Sequence, residues 1–110
     1  MQVVNTISVA DLTKMSELMY GRIVKAVVDL RQSILVVDAE MHVDEEQYLL
    51  ENDSKQADLW GINFHPDKYG TDDFVEFDSM INIRPRQNNM SRSVEDPDIQ
   101  KQIIELVNQK

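Results

Sequence analysis

Hydrophobic and polar positions alternate along residues 74–84, Phe-Val-Glu-Phe-Asp-Ser-Met-Ile-Asn-Ile-Arg. Period two predicts a strand with unlike faces: Val75, Phe77, Ile81 and Ile83 facing a core, and Glu76, Asp78, Asn82 and Arg84 facing away from it. The same pattern over 59–66 sets Trp60, Ile62 and Phe64 against Gly61, Asn63 and His65, with Pro66 as the stop. Two more β-rich runs, 22–30 and 33–41, are separated by so few polar residues that they read as a hairpin, although the turn lacks the usual Gly or Asn.

Helical spacing replaces alternation in three places. Leu12, Met15, Leu18 and Met19 follow Ser8 and precede Gly21, predicting a helix over about 8–20. Asp44 followed by Glu45, Glu46 and Gln47 resembles a capping box, predicting a short helix over about 45–52. Asp96, Pro97 and Asp98 make a helix start, after which Ile99, Ile103, Ile104, Leu106 and Val107 form an apolar stripe. The order helix-strand-strand-helix-strand-strand-helix predicts one α+β domain over residues 1–110, a four-stranded, mainly antiparallel sheet with three helices packed on one face. The other face would carry Asp38, Glu40 and His42, then Asn63 and His65, then Glu76, Asp78, Asn82 and Arg84.

Composition narrows what such a face could do. A chain of 110 residues, 42% hydrophobic, can bury a single core without staples. The absence of cysteine excludes disulfides, thiolate metal sites and cysteine nucleophiles, and fits a cytoplasmic location. No apolar run is long enough for a membrane span, and no basic start followed by an apolar block marks a signal peptide, so no membrane partner is expected. The net charge of −9 argues against nucleic acid as a partner. Three scattered glycines, Gly21, Gly61 and Gly70, supply no phosphate-cradling loop.

Charge is also uneven. Eight acids and one base lie between Asp38 and Asp58, whereas Arg84, Arg86 and Arg92 follow one another with no acid between them. These arginines, with Asn82 and Asp78 beside them, are the candidate binding residues for a small anionic ligand or a protein, a second copy of the chain included; pairing with the chain's own acids is the ordinary alternative and the favoured one. Glu40 and His42, spaced by two, are the candidate metal ligands, because carboxylate and imidazole would project from one side of an extended segment. No stronger ligand motif accompanies them, so no cofactor is expected beyond a low-ranked divalent metal.

The stretches HVDEEQYLLENDSKQADLWGIN and EFDSMINIRPRQNNMSRSVEDPDI resemble a family of short prokaryotic proteins known as a domain of unknown function. The resemblance covers nearly the whole chain and implies a stand-alone domain of cytoplasmic type; it implies no activity, cofactor or catalytic residue. The residues themselves favour a non-enzymatic binding or regulatory module that uses the polar sheet face and the arginine segment. The alternative is a metal-assisted hydrolase using Glu40, His42 and Asp78, with Arg84 steadying developing charge.

Overall fold

The computed structural model describes residues 2–4, 23–37, 41–71 and 73–109. The predicted helix over 8–20, and with it the third helix of the expected architecture, lies outside these residues, as do Asp38 and Glu40. The four expected strands are present as β2 (Val24–Asp29), β3 (Ile34–Val37), β4 (Leu59–Phe64) and β5 (Val75–Glu76), and a short strand β1 (Gln2–Val4) joins them. All pair antiparallel in the order β1-β3-β2-β4-β5. Two helices complete the α+β fold among the described residues, α1 (His42–Glu51) and α2 (Pro97–Gln109).

The β2–β3 turn replaces the missing Gly or Asn with a carboxylate. Asp29 Oδ1 accepts from the backbone N–H groups of Arg31 and Gln32, its Oδ2 accepts from Gln32 Nε2 and Ser54 Oγ, and Ser33 takes the left-handed conformation at φ 55°. Burial alone would raise the carboxyl pKa. The hydrogen bonds from Ser54, Gln32 and Arg31 outweigh burial and bring it below its ordinary value.

The helices lie on opposite faces of the sheet, which corrects the one-sided packing expected from sequence. Val24, Ala26 and Val28 of β2, Leu35 and Val37 of β3, and Trp60, Ile62 and Phe64 of β4 bury against Ile103 and Leu106 of α2. The alternate positions Val27, Val36 and Leu59 bury against Leu49 of α1. The central strands are therefore covered on both sides; β4 is buried along its whole length. Sequence patterning misplaced α1 because its buried stripe, His42, Glu45, Glu46 and Leu49, is mostly polar. The helix also begins earlier than predicted, with Met41 at the N-cap position and Asp44 inside the first turn.

The second correction concerns residues 74–84. Only Val75 and Glu76 are strand, pairing with Phe64 and Asn63. Beyond them side chains, rather than backbone, complete the outer edge of β4. Asn82 accepts from the Gly61 N–H at 2.9 Å and donates to the Gly61 carbonyl at 3.0 Å, while Arg84 donates to the Leu59 carbonyl. Asn82 is consequently fully buried, and Ile83, assigned to the core by alternation, is 38% exposed. A carboxamide presents an N–H and a C=O in one plane, so it can close a strand edge as a peptide group would, and the Asn82 amide nitrogen also donates to the Arg92 carbonyl.

The segment after Arg84 is ordered rather than open. Pro85–Gln87 form a 3-10 turn, Asn88 is left-handed, and Arg84 and Asn89 exchange backbone hydrogen bonds. Buried Asn89 donates to the carbonyls of Asn82, Ser91 and Ser93 and accepts from Glu95 N–H, and Glu95 Oε2 accepts from the N–H groups of Met90 and Ser91. Asp96 Oδ1 then caps α2 through Asp98 N–H, as the sequence indicates. Neither helix described is long and apolar enough to cross a membrane.

Candidate functional site

Where α1 begins over the sheet, a cleft of about 340 Å³ opens. Its floor is a row of cross-strand neighbours, Lys25 of β2 paired with Asn63 of β4, and Asn63 paired with Glu76 of β5. His42 and Ser79 wall it, the Asp78–Arg92 pair closes one side, and Met41 and Met80 stand at its rim, 53% and 65% exposed.

His42 holds the helix to the sheet. A carbonyl oxygen only accepts, so the 2.7 Å contact to Ile62 is a hydrogen bond donated by Nε2–H, and in the neutral ring Nδ1 is then the unprotonated nitrogen. Burial lowers the imidazole pKa, against the opposing effect of the Ile62 hydrogen bond, and Lys25 pushes it further down. Close approach requires a glycine beneath the imidazole: a Cβ on Gly61 would lie 2.6 Å from Ser79 Cβ and 3.2 Å from the His42 ring.

Asn63 is 4% exposed, and its orientation is dictated by its neighbours. Nδ2 donates to Glu76 Oε1 at 2.9 Å and to the Asp78 carbonyl at 3.1 Å; both partners are acceptors, so an exchanged amide would face two oxygens with a third. Oδ1 is thereby an acceptor, and it is buried without a hydrogen-bond partner. Half-buried Lys25 stands next to it in the row with no ion pair to any described residue. Glu76 contacts His65 Nε2 at 3.5 Å in addition to Asn63. Asp78 and Arg92 form a two-pronged ion pair, at 2.7 Å through Nε and 3.4 Å through Nη2, on an exposed rim where such pairs contribute about 0–1 kcal/mol.

The candidates read from sequence thus separate. Asp78 and Arg92 line the cleft together with His42. Asn82 and Arg84 are buried in the edge of β4, and Arg86 is exposed on the 3-10 turn. Arg84 donates to the Gln56 and Leu59 carbonyls and to Gln87 Oε1 at 3.2 Å, with its guanidinium 4.3 Å from the centre of the Trp60 ring. Its charge also faces Glu46, whose carboxyl burial raises in pKa while Arg84 draws it back. Among the described residues no three His, Asp or Glu side chains are grouped to hold a metal ion, and His42 has Nε2 committed to a carbonyl. Ser79 accepts from Ile81 N–H at 3.3 Å, the role of a cap rather than a nucleophile.

Sequence reading missed Lys25, Ser79 and Glu46. Lys25 left a trace, a lone cation inside the apolar run Ile23–Val28. Ser79 and Glu46 left none, because their burial comes from the irregular path of 77–84 and from a helix face that patterning assigns to solvent.

In class the molecule is a small α+β domain with helices on both faces of an antiparallel sheet and a polar cleft at one end of α1. The chain belongs to the family described as protein of unknown function (DUF5674), whose family model matches residues 1–110. No curated protein and no solved structure matches it.

Proposed function

We propose that the protein is a non-enzymatic binding module that seats a small polar ligand in the cleft above Lys25, Asn63 and Glu76. The observation that carries this reading is the state of the floor, where an ammonium with no ion pair among the described residues adjoins a buried acceptor with no donor among them. Leaving such an acceptor unsatisfied costs about 1–3 kcal/mol, a cost that folds retain at sites serving a ligand. The cleft volume falls at the small end of ligand pockets. The methionines at the rim add an adaptable apolar surface. Binding rather than turnover is favoured because His42 and Ser79 are occupied in holding backbone groups.

Titration of the isotope-labelled protein with a library of small polar fragments, followed by amide NMR, tests the reading. Saturable shifts are expected to concentrate on Lys25, His42, Asn63 and Arg92 and to disappear in the double variant Lys25→Glu, Arg92→Glu. Hits scattered over the surface with no preference for the cleft would rule the reading out.

A further inference from the structure

The floor of the cleft is graded in charge. Lys25, Asn63 and Glu76 occupy adjacent strands at one level of the sheet, cation, carboxamide and carboxylate in that order. Successive strands are about 4.8 Å apart, so the backbones of Lys25 and Glu76 stand roughly 10 Å apart on either side of Asn63. The first turn of α1 lines the same cleft through Met41, His42 and Val43 and leaves its leading N–H groups without a side-chain cap, while Asp44 and Glu45 in that turn offset part of the positive character of the helix end. The Asp78–Arg92 pair is internally neutralised and does not upset this gradient. Asn63 stands between the two charged ends, with its Nδ2 turned to Glu76.

We infer, resting on the binding-module reading, that the ligand is a small zwitterion of the α-amino-acid type with an apolar side chain. Its carboxylate sits against the Lys25 ammonium and the uncapped N–H groups of α1. Its ammonium sits against Glu76. The apolar side chain packs on Met41, Met80 and half-buried Ile81. A simple anion would leave Glu76 unanswered and would place like charges near each other. A simple cation would do the same to Lys25 and the helix terminus.

Three probes with one carbon skeleton separate these cases: L-leucine, isocaproate (no ammonium) and isoamylamine (no carboxylate), each titrated into the full chain and followed by amide NMR. L-Leucine is expected to shift Lys25, Asn63 and Glu76 saturably, with each single-charge probe at least about tenfold weaker, the equivalent of one charge-assisted hydrogen bond. Lys25→Met and Glu76→Gln should each weaken L-leucine by a similar factor. Both positions are only partly buried or exposed, so the variants should fold, and an unchanged amide spectrum elsewhere verifies it. Isocaproate binding as tightly as L-leucine at the same amides would make the cleft an anion site, overturning this inference and leaving the binding module intact. No saturable shift from any of the three probes would also overturn it, while the fragment library decides the broader reading separately.

Discussion

Individual polar residues in this protein are buried because each meets a specific complement, and their ionisation records how well. Glu46 is 8% exposed with one carboxylate oxygen lacking a hydrogen bond, and burial raises its pKa despite Arg84 nearby. A folded-state pKa above the unfolded value means that the folded state binds the proton more tightly. The resulting stabilisation is complete below the ordinary value of 4.5 and is lost as pH rises through the folded-state pKa. Glu46→Gln cannot titrate. The wild type is therefore expected to gain stability relative to Glu46→Gln as pH falls from neutrality toward that value, measured as the difference in urea midpoints at each pH. A difference that stays flat, or that shrinks on acidification, would show that Arg84 neutralises the carboxylate fully.

At the scale of elements, β4 shows how a strand edge can be finished without a strand. Leu59 and Gly61 present their outer backbone groups to Arg84 and Asn82, and Asn63 presents its own to β5. Replacing the Asn82 carboxamide with a carboxylate removes the donor to the Gly61 and Arg92 carbonyls and puts a buried charge against both oxygens. Asn82→Asp should therefore destabilise the domain by about 3 kcal/mol or more, in the range for unpaired buried charges. Ile83→Asp, at an exposed position, should cost less than about 1 kcal/mol. Thermal melts of the two variants check this, and similar losses from both would contradict the edge arrangement. Strict alternation predicts the reverse ranking. The pattern over 74–84 holds at its start, where Val75 and Phe77 pack on the core and Glu76 is exposed, but the strand ends at Glu76 and alternation no longer assigns faces along the irregular path beyond it. Here the carboxamide and guanidinium went inward because the edge of β4 offered hydrogen bonds that Ile83 could not make.

Over the whole molecule the excess of negative charge acts against compactness. Twenty acids oppose eleven bases, and Arg31–Asp58 and Arg92–Asp78 are exposed pairs that remove little of the repulsion. Raising ionic strength from about 10 mM to about 150 mM shortens the Debye length from roughly 30 Å to roughly 8 Å. The melting temperature should rise over that interval and level off beyond it. A steady fall would mean that the acids are held by pairs that salt weakens.

Local side-chain pattern is enough to place the four main strands, the hairpin between the first two, the capped start of α2 and its apolar stripe. These follow from local chemistry: side-chain period, a proline that cannot continue a strand, a carboxylate beside free N–H groups. Of the cleft, Asn63, Glu76, Asp78, Arg92 and His42 were legible as polar positions on facing elements. Only long-range packing sets α1 on the second face of the sheet, since its inward stripe carries two carboxylates and an imidazole, and His42 and Glu46 meet Ile62 and Arg84, which are distant in sequence. It alone joined Lys25 to the cleft and withdrew Arg84 from it. Each of those outcomes depends on hydrogen-bond partners 20 or more residues away, such as Ile62 for His42 and Leu59 for Arg84, and no local pattern encodes them.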